Sequence, residues 1–141
     1  MSHLSILAKA NIIDKPAFIE GCKELGYTKI TENTTIIAHD GKTMRVDVAV
    51  TNGKYSVGLV KNVSGKYDLV GDFQCFGWEL PSAIKTALKM TGSYVSDTEI
   101  QNCILRYTTK HTLTNQYKKL GYNCKANEDK AGNIQVTMTK F

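Results

Sequence analysis

The chain has 141 residues, of which 42% are hydrophobic and 22% charged; this fits one globular domain over residues 1–141 and excludes a low-complexity or disordered chain. No run of 18 apolar residues occurs and the first residues lack signal-peptide character, so we predict a cytoplasmic protein without a membrane partner. The net charge of +5 favours anionic partners, although the scarcity of arginine (Arg45 and Arg106 alone) argues against a base-reading nucleic-acid binder.

The first elements are a strand, a short helix and a second strand. Residues 3–12 alternate apolar and polar side chains, which predicts a half-buried strand. Asp14 is a helix N-cap signal, and Gly26 supplies the left-handed residue that ends such a helix. Residues 28–38 are rich in threonine and isoleucine, which predicts a strand with an interruption at Glu32-Asn33.

Residues 39–78 form the centre of the predicted fold. Alternating side chains and three glycine turn signals (Asp40-Gly41, Asn52-Gly53 and Ser64-Gly65) predict a meander of antiparallel strands. Leu80-Pro81 then opens a helical region, so the meander is followed by helices rather than by a further strand.

The last third of the chain predicts a long helical region and a terminal hairpin. Asp97 can cap the helix, and the threonine-rich residues 108–112 shift its apolar stripe, which indicates either a kink or two helices. Gly121 ends it, and the hairpin that follows turns at residues 131–133.

Two short stretches of the sequence echo each other. Lys-Glu-Leu-Gly-Tyr at 23–27 is similar to Lys-Lys-Leu-Gly-Tyr at 118–122, and each ends a helix and precedes a hairpin. The simpler interpretation is that the same helix-stop chemistry recurs, and the alternative is a weak internal helix–hairpin duplication. The fold class that results is α+β: a single antiparallel sheet of five to seven strands with a central β-meander, and helices packed on one face.

Several stretches also carry a family resemblance. They are Met1-Ser2-His3-Leu4-Ser5, Arg45-Val46-Asp47-Val48, Gly65-Lys66-Tyr67 and Ala131-Gly132-Asn133-Ile134. In these, the chain resembles the hypothetical chloroplast reading frame thirty-five family, an uncharacterised family of cyanobacteria, red-algal plastids and phages. The resemblance covers nearly the whole chain. It implies a compact cytosolic domain and carries no activity over to it.

The predicted binding site lies on or beside the polar face of the meander. Its residues are Arg45, Asp47, Asp68 and Asp72, together with Trp78 at the meander's exit. If the strands pair in register, the first four share one face that can orient a polar ligand or a cation. Trp78 can stack on a base or anchor a partner. The alternatives are a solvated sheet face with cross-strand ion pairs, and a core position for Trp78.

No catalytic residue, metal site or cofactor is predicted. The four cysteines do not match zinc-ligand spacing, the three histidines are far apart in sequence, and no phosphate-binding loop or nucleophile motif occurs. The basic, hydroxyl-rich residues 109–119 can contact phosphates, with a solvated helix face as the alternative.

Three functions follow from these observations. The first is a non-enzymatic binding module of the cytosol, which binds a protein partner or itself, for example as a phage-encoded inhibitor of a host protein. The alternative is a binder of an anionic ligand, namely a nucleotide, a cyclic oligonucleotide or a nucleic acid. The third, least supported by motifs, is a metal-assisted enzyme that uses the aspartates of the meander.

Overall fold

The computed structural model describes residues 5–51, 53–88, 96–128 and 134–140, without the side chains of residues 5–11, 78, 128 and 140. Helices and strands alternate in blocks along these ranges. They are β1 (Ser5–Ile12), α1 (Lys15–Glu24), β2 (Lys29–Ile37), β3 (Thr43–Thr51), β4 (Ser56–Lys61), β5 (Tyr67–Gly71), α2 (Phe73–Phe76), a 3-10 turn (Gly77–Glu79), α3 (Ser82–Ala87), α4 (Asp97–Lys119), β6 (Tyr122–Glu128) and β7 (Ile134–Lys140).

Five strands form the main antiparallel sheet, in the order β1-β5-β4-β3-β2. The α+β class and the central meander β3–β4–β5 are therefore confirmed, as is the lower bound of five strands. The terminal hairpin corrects the prediction of a single sheet, because β6 and β7 pair with each other as a separate two-stranded sheet. The reason is that both strands pack on α4 and do not extend either edge of the main sheet.

The main core lies between one face of this sheet and the helices, as predicted. It joins Val48, Val57 and Leu59 of the sheet to Phe18 of α1 and Ile104 of α4, all buried. At about 25 cal/mol per Å² of apolar area removed from water, such a layer is the dominant stabilising term of the fold.

The predicted interruption of β2 is a local irregularity only: β2 runs unbroken over Lys29–Ile37, but Asn33 has a positive φ of 49°. Glu32 pairs with Val48 and Thr34 with Val46, so the register between the two strands continues past Asn33 without a shift. Val48 nevertheless belongs to the main core, whereas Val46 belongs to a second buried cluster on the opposite face of the sheet, so the side chains of β3 change face between these two residues. The outward face of the meander is therefore partly apolar, which corrects the prediction of one polar face.

Helix α4 is one continuous helix of 23 residues. The threonine-rich segment stays helical because its hydroxyls bond to the preceding turn: Thr112 Oγ1 donates to the carbonyl of Thr108 at 2.9 Å. Ser96 caps the helix and accepts the Glu99 N–H at 3.2 Å, so the cap lies one residue before the predicted Asp97. Across the described residues no helix is both long and apolar enough to cross a membrane.

Helices α1 and α4 cross at Gly21. A Cβ atom at this position would lie 3.0 Å from the carbonyl carbon of Tyr107 and 3.1 Å from the nitrogen of Thr108. The absence of a side chain therefore lets the two backbones approach closely, and this contact fixes α4 against α1.

Two of the three predicted meander turns are present as predicted. Each is closed by backbone hydrogen bonds, from Ala38 N–H to Lys42 O at 2.9 Å and from Asn62 N–H to Lys66 O at 2.7 Å. The third falls partly outside the described residues, since it includes Asn52. The predicted turn of the terminal hairpin at 131–133 also lies outside them.

Candidate binding groove

Asp72, one of the predicted site residues, is 1% exposed. Its carboxylate accepts the backbone N–H of His39 at 2.9 Å and that of Cys75 at 3.3 Å, and it thereby caps the short helix α2. A carboxylate that accepts two N–H groups satisfies donors which would otherwise be buried without partners. The sequence pattern placed Asp72 on the polar face of a strand, whereas the chain has already left β5 at this residue.

The other predicted residues of the meander have separate partners. Asp47 accepts the Lys61 N–H at 2.8 Å, and Asp68 accepts Asn62 Nδ2 at 3.0 Å. Arg45 is exposed and donates to the carbonyl of Asn33 at 3.2 Å.

Each of these charged groups of the meander therefore already has a hydrogen-bond partner within the protein. Nor does the part of the chain that the structure describes contain three His, Cys, Asp or Glu side chains arranged to hold a metal ion. The backbone of Trp78 lies in the 3-10 turn, and its side chain lies outside the described residues. The binding role of Arg45, Asp47, Asp68, Asp72 and Trp78 stays a prediction.

A groove of about 500 Å³ lies instead between α4 and the terminal hairpin. We call it the α4 groove. Its lining residues are Asn102, Leu105, Arg106, Thr109, Lys110, Leu113, Ile134 and Val136.

The groove follows from two local patterns. Leu105, Thr109 and Leu113 recur every four residues and form one stripe along α4. Ile134 and Val136 alternate along β7 and point to the same side of the hairpin. Both are only half-buried, because no further strand or helix covers the hairpin on this side within the described ranges. An apolar floor therefore stays open to solvent.

Two basic side chains line the groove, one helical turn apart. Lys110 Nζ bonds the Glu24 carboxylate and lies 5.3 Å from the ring centroid of Tyr107. The Nε of Arg106 is buried and finds no hydrogen-bond acceptor among the residues that the structure describes. Lys110 is thus already bonded to protein groups, whereas the Nε–H of Arg106 has no acceptor among the described residues.

Glu24, at the end of α1, holds the α4 side chains in place. It also accepts His111 Nε2 at 2.8 Å. Burial raises the pKa of Glu24, but the hydrogen bonds from Lys110 and His111 outweigh that effect, and the pKa lies below its ordinary value. The carboxylate is therefore ionised near neutral pH and offsets the charge of Lys110.

A second, smaller groove of about 240 Å³ lies on the other side of the same stripe, against the end of β1. It shares Leu105, Thr109 and Leu113 with the α4 groove and adds Ile13, which is more than half exposed. The stripe is thus a ridge with a depression on each side. This arrangement suits a partner that lies across or along α4.

The buried thiols offer no reactive group for chemistry at this groove. Cys22 and Cys103 belong to the main core, and burial raises the pKa of the Cys22 thiol. The lining of the groove offers apolar groups and cationic groups side by side.

The sequence pattern indicates part of the groove's lining but not all of it. Residues 109–119 were singled out for their basic and hydroxyl side chains, and Thr109, Lys110 and Leu113 do line the groove. Arg106 and the β7 residues were missed. The spacing of Asn102, Arg106 and Lys110 by four residues is a signal that would have placed a polar stripe beside the apolar one.

The fold and the groove define an α+β protein with an open cleft beside its longest helix. Residues 22–137 match the family described as protein of unknown function (DUF1257), and the chain belongs to that family. The matched range runs from α1 to β7 and includes every residue of the α4 groove. Neither a curated protein nor a solved structure matches the chain.

Proposed function

We propose that this protein is a non-enzymatic binding module whose α4 groove receives a segment of a partner protein. The observation that carries the proposal is the half-open apolar floor, where Leu113 is 36% exposed in a cleft of about 500 Å³. Clefts that bury a few apolar side chains supply most of the binding energy at protein interfaces. Contact with a partner would remove this apolar surface from water.

The charge of the chain favours a partner protein over a second copy. Each molecule carries a net charge of +5, so two copies repel each other, whereas an acidic partner is attracted. A second depression lies on the other side of the Leu105–Leu113 ridge, which favours an elongated segment that lies across the ridge over a compact ligand.

The alternative is an anionic ligand such as a nucleotide, a cyclic oligonucleotide or a nucleic acid. Arg106 and Lys110 favour it, because both can face a phosphate. Among the described residues that line the α4 groove, however, none carries an aromatic ring on which a base would stack. An enzyme that uses the meander aspartates ranks third, because Asp47 and Asp72 each accept backbone N–H groups.

As part of the same proposal, this DUF1257 member is one of the hypothetical chloroplast reading frame thirty-five proteins and acts in the cytosol. If the gene is carried by a phage, the same groove would serve an inhibitor of a host protein.

The test is selection from a display library of random short peptides with the full chain as bait. Peptides that bind the α4 groove should lose about tenfold in affinity or more on Leu113→Asp, because binding would bury the new charge against apolar side chains. Val63→Asp is the matched control, since Val63 is fully exposed at a meander turn. Circular dichroism and thermal unfolding establish that both variants fold.

Peptides that bind wild type and Leu113→Asp with equal affinity would contradict the proposal. Self-association is a separate outcome. If light scattering finds a dimer that Leu113→Asp dissociates, the groove binds a second copy and the partner assignment is wrong.

A further inference from the structure

We infer that Arg106 is the anchor for a carboxylate in the partner segment, so that the α4 groove selects an acidic side chain flanked by apolar ones. This rests on the proposed function and names the chemistry of its ligand. No residue of the meander takes part in it.

The first observation is the orphan donor. Arg106 Nε is buried in the wall of the groove and finds no acceptor within the described part of the chain. A buried donor without an acceptor carries an uncompensated desolvation penalty. The same guanidinium lines the groove, so turning its Nε–H toward a ligand oxygen would give this donor the acceptor that it lacks among the described residues.

The second observation is the unequal state of the two cations. Lys110 is bonded to Glu24 and lies over the ring of Tyr107. Arg106 forms no ion pair with any described residue. The charge that stays available to a ligand is therefore that of Arg106, and its planar fork matches a carboxylate in a bidentate manner.

The third observation is the pair of parallel stripes along α4. Asn102, Arg106 and Lys110 form a polar stripe, and the ridge of Leu105, Thr109 and Leu113 runs beside it. A partner segment must present the complementary pair, namely an acidic side chain next to apolar ones. The amide of Asn102 and the hydroxyl of Thr109 flank the anchor and can satisfy the remaining lone pairs of one carboxylate.

A double-mutant cycle on the selected peptides tests the inference. We expect the enriched peptides to carry Asp or Glu between apolar residues, and Arg106→Gln to lower their affinity about tenfold or more. Changing the peptide acid to its amide should cost as much on wild type and almost nothing on Arg106→Gln. Arg106→Lys keeps the charge without the fork and should fall between the two.

Arg45→Gln is the matched control, because Arg45 is the other arginine of the chain and lies exposed on β3. An equal loss of peptide affinity on Arg45→Gln and Arg106→Gln would mean that only the net charge of the protein matters. The inference that Arg106 anchors a carboxylate would then be wrong. Additive effects in the cycle, or tighter binding of a phosphorylated peptide than of its acidic counterpart, would also overturn it. In those cases, if peptide affinity still falls on Leu113→Asp, the proposed function of the groove stands without the Arg106 anchor. If peptide affinity no longer depends on Leu113, the proposed function is wrong as well.

Discussion

Two units of this molecule start from the same local chemistry and end in different states. In the first, α1 ends at Leu25-Gly26-Tyr27 and leads into the hairpin β2–β3; in the second, α4 ends at Leu120-Gly121-Tyr122 and leads into β6–β7. Both glycines have the left-handed backbone that ends helices, with φ of 97° at Gly26 and 88° at Gly121.

The two tyrosines show the difference. Tyr27 is fully buried and stacks on Phe76 with ring centroids 4.9 Å apart. Tyr122 is half-buried and meets Tyr117 edge to face at 5.7 Å. The first helix end also has a further backbone bond, because the Tyr27 N–H donates to Cys22 O at 3.0 Å in addition to the bond from the glycine N–H.

The contrast shows where an open groove comes from. The first hairpin is extended by β4, β5 and β1 into a five-stranded sheet whose inner face the helices cover. The second hairpin pairs only with itself and packs on α4. The same helix–hairpin unit is thus a core element where its sheet is extended, and one wall of a binding groove where it is not.

The largest expected effect separates the two tyrosines. Tyr27→Ala should destabilise the fold by about 3–5 kcal/mol, because it leaves a cavity under a stacked aromatic pair. Tyr122→Ala should cost about 1 kcal/mol or less, because its site already faces solvent. Chemical denaturation of both variants measures the difference.

Tyr27→Phe is the control for the tyrosine pair. The Tyr27 hydroxyl is buried and has no hydrogen-bond partner among the described residues, so its removal should be neutral or slightly stabilising. If Tyr122→Ala proves as damaging as Tyr27→Ala, the second unit is as tightly packed as the first, and the open groove is in doubt.

The next effect separates the two glycines. Alanine at Gly26 is strained by the positive φ, and its Cβ would lie 2.8 Å from Pro81 Cβ. Alanine at Gly121 has the same strain but meets no atom within 4 Å. We expect a loss of about 2–4 kcal/mol for Gly26→Ala and about 1 kcal/mol for Gly121→Ala, from the backbone and overpacking costs.

Urea midpoints at constant m-value measure both glycine variants. Equal losses would mean that Pro81 moves aside at no cost, so that only the backbone term remains. That outcome would contradict a rigid contact between the end of α1 and the start of α3.

The sequence predicted what depends on neighbouring residues. Asp14 does cap α1 and accepts the Ala17 N–H at 3.0 Å, and the positive φ of Asn33 lies where the pattern predicts an irregularity in β2. Such features follow from side-chain caps and backbone preferences, which act over a few residues. The α+β class and the meander were accessible for the same reason.

Features that depend on distant contacts were not accessible. The alternating pattern of β6 and β7 is the same whether they extend the main sheet or stand alone, and only their packing on α4 decides. Asp72 continues the polar alternation of the strand before it, yet its burial comes from the turn at His39. Arg106 is one helical residue among many until β7 forms the opposite wall of the groove.

The smallest expected effect concerns Glu24, which connects the two units by joining the end of α1 to Lys110 and His111 of α4. Because the pKa of Glu24 is lowered in the folded state, its stabilisation is complete above the ordinary carboxyl pKa. It is lost as the pH falls through the lowered value. The side chain is 38% exposed, so solvent screening limits the effect of Glu24→Gln at neutral pH to about 0.5–1 kcal/mol.

Unfolding free energies of Glu24→Gln and wild type should therefore differ near pH 7 and converge at acidic pH. Glu20→Gln is the matched control, since Glu20 lies on the same helix, is exposed and has only a 3.8 Å contact with Lys23. A difference that persists unchanged into acid would mean that the carboxylate charge is not what Lys110 and His111 stabilise.

The same variant also bears on the comparison of the units: without the carboxylate, Lys110 is released toward the groove. The affinity for acidic peptides should then rise even as the free energy of unfolding falls, because Glu24 of the first unit neutralises Lys110 in the groove of the second.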